Sequence, residues 1–132
     1  MKYLLIGGVL LLTSLFYKIF DYKRKSSFYL KETQLITEKI SQKDKEFFLK
    51  NNRHPEDKEI TLLINKSGCY MIDEYQCQKD KHIYQVYTNS DNANHNFYLE
   101  LYNNYAMCET NLSNGKATNI DCFKRDWIHI HQ

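Results

Sequence analysis

"FYLELYNNYAMCETNLSNGKATNIDCF", residues 97–123, decides the fold of the C-terminal half of this chain. Phe97, Leu99 and Leu101 alternate with Tyr98, Glu100 and Tyr102, the period of a strand with one face buried and the other wet. A turn follows at "SNGK", residues 113–116, where Asn114-Gly115 suits the positive φ angles of a type I′ hairpin. A two-residue loop there sets Ser113 against Lys116 and, counting outward, Cys108 against Asp121, one position short of Cys122. A single bulge or a longer loop would bring the two sulfurs across from each other. Cys108–Cys122 is therefore the first-choice disulfide, with Cys69–Cys77 as its local companion, out of the three connectivities that four cysteines allow.

Working outward, short apolar or alternating runs separated by polar turns fill the chain beyond Pro55. They predict strands near Ile60–Ile64, Cys69–Tyr75, His82–Thr88, Phe97–Asn103, Tyr105–Asn111, Ala117–Phe123 and Trp127–Ile130, a sheet over 60–130. Before Pro55 the texture is helical. "FYLKETQLITEKISQKDKEFFLK", residues 28–50, has no Gly or Pro, and Tyr29, Ile36, Ile40 and Phe47 form one apolar stripe for the domain core. Lys31, Glu38, Lys39 and Lys45 solvate the other face. "NNRHPEDKE" then ends the helix: Asn51 and Asn52 suit a left-handed cap, and Pro55 disfavours helical geometry at His54.

Further out, Tyr3–Phe20 carries no charge before Lys18 and approaches the roughly 20 residues needed to cross a hydrocarbon core. Lys2 and the run Leu4–Leu12 suit a signal peptide, yet Phe16, Tyr17 and Lys18 follow where a small-residue cleavage site belongs. An uncleaved anchor is the expectation, with the membrane contacted through residues 3–20. Residues 1–25 then comprise the anchor and a basic flank. Residues 26–132, 107 in number, suffice for one α+β domain and not for two.

Five of the 18 basic residues and one of the 16 acidic residues fall within 1–25, leaving 13 against 15 in the domain, a formal −2. That excludes a general nucleic-acid binder, which needs a basic face for phosphates. Lys18, Lys23, Arg24 and Lys25 can instead pair with anionic headgroups. By the positive-inside rule this cluster would hold the domain in the cytoplasm. The cysteines argue the reverse. Their C-x7-C and C-x13-C spacings lack the close pairs of a structural zinc site, so disulfides and an oxidising compartment explain them better. Long downstream domains translocate largely regardless of charge, so a periplasmic or extracellular domain is expected.

Chemistry is sparse. His129 and His131 in "WIHIHQ" share one strand face and could present two imidazoles to a metal, with His82, His95 or Asp126 needed as a third ligand. An exposed edge strand accounts for them more simply. Asp73 and Glu74 are adjacent, so on a strand they point apart and cannot act as paired carboxylates. Outside the anchor, Gly68 and Gly115 read as turns, which leaves no phosphate loop. No catalytic residue and no cofactor are expected. Eleven tyrosines are more suggestive. Tyr84, Tyr87, Tyr98, Tyr102 and Tyr105 lie on or beside expected strands, as candidate interface residues for an envelope protein or as core packing. Two sequons, Asn65-Lys66-Ser67 and Asn111-Leu112-Ser113, matter only in a glycosylating compartment.

An apolar N-terminal helix continuing into an amphipathic one, a break near residue 55, and an antiparallel sheet with a cysteine pair near the C-terminus resemble type IV pilins and the pseudopilins of secretion and DNA-uptake machines. The resemblance implies a leader clipped after Gly8, with Val9 as the new N-terminus, and apolar helices packed into a filament. Val9 stands where the family has Phe, Thr13 where most members carry Glu, and "MKYLLIGG" is apolar where family leaders are hydrophilic.

Overall fold

One unbroken helix, α1 (Lys2–Asn51), carries the chain from the apolar N-terminus to the far end of the domain, about 75 Å at 1.5 Å per residue. The structure, a computed structural model, describes residues 2–125. The expected anchor and amphipathic helix are therefore one element, continuous through residues 21–27, where only helix-compatible residues occur. Asn52, at φ 53°, donates its backbone N–H to the Phe48 carbonyl and ends α1 in the left-handed conformation that its sequence suggests.

The stripe on α1 meets the core as expected. Ile36 and Ile40 are buried, and Tyr29 and Phe47 pack at its ends. Between them, Thr33 and Thr37 turn their hydroxyls back onto the carbonyls of Tyr29 and Thr33, which satisfies these buried donors within the helix.

After the break at Pro55 the chain forms α2 (Lys58–Lys66), where a strand over Ile60–Ile64 was expected. Ile60, Leu63 and Ile64 stand at helical spacing, and Leu63 and Ile64 are buried in the main cluster. Packing against α1 and the first strand overrides the β-branched propensity of this short run.

Six antiparallel strands follow in simple meander order: β1 (Tyr70–Met71), β2 (Gln76–Lys79), β3 (His82–Asp91), β4 (Asn96–Tyr102), β5 (Ala106–Ser113) and β6 (Lys116–Lys124). The expected strand Cys69–Tyr75 shrinks to β1, because residues 72–75 turn the chain into β2. Asp73 sits in that turn, its carboxylate accepting the Tyr75 N–H at 2.8 Å. Trp127–Ile130 lies outside the described residues.

On β4, Phe97, Leu99 and Leu101 are fully buried under α1, as the alternation requires. Each such side chain contributes about 1.5–3 kcal/mol on burial. Two disulfides, Cys69–Cys77 and Cys108–Cys122, close the domain. In the β5–β6 hairpin Ser113 faces Lys116, but beyond Thr110–Leu112 the register shifts by one so that Cys108 faces Cys122. Thr118 and Asn119 together oppose Asn111, and this single bulge supplies the missing position.

Candidate functional site

Three surfaces carry the residues of interest: the free half of α1, the outer face of the sheet, and the polar contacts that fix the helix to the sheet. Leu5, Val9, Leu12, Phe16 and Phe20 are all more than half exposed, on a helix long and apolar enough to cross a membrane. Gly8 is exposed within this helix, with nothing within 4 Å of a Cβ placed there. At the lower edge of the domain, Tyr22 donates its hydroxyl to the Arg125 carbonyl at 2.7 Å and Lys124 Nζ lies 3.0 Å from Ser27 Oγ, so the end of β6 is tied to α1 where the apolar segment ends.

The five candidate tyrosines divide. Tyr84 is fully buried, and its hydroxyl donates to Glu32 Oε1 at 2.5 Å. It is a core residue, which corrects the expectation that it serves an interface. Its inward position follows from the alternation of β3, in which Tyr84 and Val86 share the buried face. Burial first, and then the Glu32 carboxylate, hold its hydroxyl far above the ordinary tyrosine range. Glu32 also faces His82 Nδ1 at 2.8 Å. Tyr105 stacks on Tyr29 with ring centroids 5.1 Å apart, joining α1 to the β4–β5 turn.

The other three lie on the sheet face turned away from α1. Tyr87 is 47% exposed and meets Tyr98 edge-on, while Tyr102 lies under the Arg125 guanidinium. Tyr87, Glu100, Glu109 and Asp121 follow one another across four strands in register. The Tyr98 hydroxyl lies 2.6 Å from Glu100 and 3.1 Å from Glu109, so it donates into a row of like charges that would otherwise repel. Burial and these two carboxylates hold the Tyr98 hydroxyl well above its usual range. Chemically this is an acidic, tyrosine-bearing surface suited to polar contact.

His129, His131 and Asp126 lie outside the described residues. His82 is engaged with Glu32 and flanked by Phe28 and Tyr29, and His95 lies exposed in the β3–β4 turn. Among the described residues no group of three His, Cys, Asp or Glu side chains is arranged to hold a metal. Of the sequons, Asn65 uses its side-chain oxygen to accept the Met71 N–H and Ser67 is buried, whereas Asn111 is exposed on β5.

Sequence reasoning missed a polar pair that pins the top of the domain. His54, fully buried between Phe48 and Phe97, faces Asp44 through Nδ1 and the His95 carbonyl through Nε2 at 2.9 Å. A histidine beside a proline in a polar stretch gives no signal of burial. The available hint was Asp44, which falls on the same helical face as Ile36 and Ile40.

No protein-family model, curated protein or solved structure matches this chain.

Proposed function

We propose that this is a single-pass membrane protein whose small disulfide-closed α+β domain stands outside the cytoplasm as a binding or assembly component of an envelope complex. The observation that carries this reading is the division of α1. Its apolar half is bare and its second half is packed on the sheet, with no break between them. A helix so divided transmits the position of the domain rigidly to whatever surrounds its apolar end. Bilayer lipid is the surrounding that matches 18 residues, 3–20, of which Lys18 alone is charged, about 27 Å of helix. Two disulfides favour an oxidising compartment. The face bearing Tyr87, Tyr98 and Tyr102 supplies an amphipathic contact surface of the kind protein interfaces favour.

The same division of α1 supports a second reading, a minor pilin or pseudopilin, in which the bare half packs against copies of itself in a filament. The two readings part at Gly8. Intact mass of the protein from its native membrane, taken after alkylation with and without reductant, separates them. A full-length chain without reactive thiols supports the anchored domain, and loss of the first eight residues supports the filament subunit. Four alkylated cysteines without reductant would overturn both by placing the domain in the cytoplasm.

A further inference from the structure

Strand β3 is ten residues long, but β2 covers only its first part, pairing from Lys79–His82 to Gln76–Gln85. Val86 makes the last link on that side, donating its N–H to the Tyr75 carbonyl at 2.7 Å. Backbone groups alternate in direction along an antiparallel strand, so Thr88 and Ser90 point their N–H and C=O to the same side as Val86. No described residue pairs with those groups. The edge runs from Tyr87 to Asp91, about 16 Å.

Beside this edge lies a groove of about 550 Å³ between β3 and α2. Its apolar floor comprises Ile60, Ile64, Met71 and Val86. Its charged residues are Glu56, Asp57 and Glu74, all exposed, with no lysine or arginine among the lining residues. Asn92 holds the Glu56 carboxylate by a hydrogen bond of 2.6 Å, and Ser90 Oγ donates to the Pro55 carbonyl, so one end of the groove is built by a tethered loop. Tyr87 borders both the groove and the row of Glu100, Glu109 and Asp121, so the acidic field continues onto the outer face.

We propose that this edge receives an extended, basic segment of a partner protein as an added strand along β3. The backbone of Thr88 and Ser90 pairs with the guest. Apolar side chains at alternate positions reach the floor of Ile60, Ile64 and Met71, the intervening lysine or arginine side chains turn to the outer face beside Tyr87, and the field of Glu56, Asp57 and Glu74 favours a guest of net positive charge. Open edges without a partner invite aggregation, and the positive residues that usually guard them are missing from this groove. The same acids would repel an acidic guest, which supplies selectivity. The proposal deepens the reading of the domain as a binding component by naming the surface and the chemistry of its partner.

The test uses the full chain in nanodiscs of zwitterionic lipid, titrated with the capped peptide Lys-Val-Lys-Val-Lys while backbone amide shifts and hydrogen exchange are followed. Glu-Val-Glu-Val-Glu and spermine serve as controls. The expected result is slowed exchange at Thr88 and Ser90 with the lysine peptide alone. Binding should weaken about tenfold in the Glu56→Lys/Glu74→Lys variant and with added salt. Thr88→Pro, a substitution that edge strands tolerate, removes a required donor and should abolish the protection. Equal binding of spermine or of the acidic peptide, shifts confined to Lys18–Lys25, or no shift at millimolar peptide would overturn the proposal. So would self-association of the free protein that Thr88→Pro dissolves, since the guest would then be a second copy. None of these results changes the mass of the chain or the state of its thiols, so the groove can fail while the anchored-domain reading stands.

Discussion

His54 Nδ1 lies 2.9 and 3.0 Å from the two carboxylate oxygens of Asp44, and neither side chain reaches solvent. The opposite ring nitrogen faces the His95 carbonyl, which can only accept, so Nε2 carries a proton. A hydrogen bond between Nδ1 and the carboxylate requires a proton on one of the two. The pair joins the last turns of α1 to the β3–β4 turn, and the backbone N–H of His54 adds a bond to Asn92 Oδ1 at 2.8 Å. It closes the end of the domain farthest from the bare half of α1.

Removing one partner strands the other in a dry site. Asp44→Ala and His54→Ala are each expected to cost about 3 kcal/mol in chemical denaturation of the detergent-solubilised chain. Asp44→Asn should cost much less, because its amide can donate to Nδ1. Burial raises the Asp44 carboxyl above its ordinary value of 3.8, against the pull of the His54 hydrogen bond. A group raised in the folded state contributes stability that is complete below the ordinary value and is lost as pH rises through the folded one. The stability of Asp44→Asn relative to the parent should therefore climb with pH above 3.8. A constant difference across that range, or an equal cost for Asn and Ala, would refute this account.

The bulge in the β5–β6 hairpin is a second point of test. Thr118 and Asn119 face Asn111 alone, and this shift is what sets Cys108 against Cys122. Deleting Asn119 restores a regular ladder from the Asn114-Gly115 turn, in which Cys122 still falls opposite Cys108. The deletion variant should oxidise fully and lose only local contacts, among them the Thr110 hydroxyl bond to the Asn119 carbonyl. Inserting an alanine between Ile120 and Asp121 instead moves Cys122 to the other face, and alkylation should then find two thiols. Replacing both cysteines of this pair by alanine should cost about 3 kcal/mol, the scale for a closed loop of its length.

How much of the fold was legible follows from where the physical signal is local. Alternation along "FYLELY" determines which residues enter the core, and the cysteine count against the Asn-Gly turn requires one extra residue in the hairpin, so both could be read directly. Residues 60–64 could not: "ITLLI" is too short for its period to separate helix from strand, and contacts from α1 and β1 decide. β2 was hidden because "QCQK" has Cys77 as its one buried side chain. Tyr84 and His54 show the limit for site residues. Each has a polar atom whose buried partner, Glu32 or Asp44, lies on a different element, and nothing in sequence spacing joins them.

Gly115 makes the last prediction. At φ +77° it occupies the left-handed region, where a side chain costs roughly 1–2 kcal/mol, and a Cβ placed on it would stand 2.9 Å from Phe48 Cβ. Gly68, at φ +92°, shares the backbone constraint but has nothing within 4 Å of that position. Gly68→Ala should therefore cost the conformational strain alone. Gly115→Ala adds a displacement of Phe48, whose ring also packs on His54 with centroids 4.9 Å apart, so the shift reaches the Asp44–His54 pair. Measured by denaturation, Gly115→Ala should exceed Gly68→Ala by at least about 1 kcal/mol. Equal costs at the two glycines would mean that the hairpin tip moves away from α1 without loss, and that the close approach at Phe48 does not help hold the sheet to the helix.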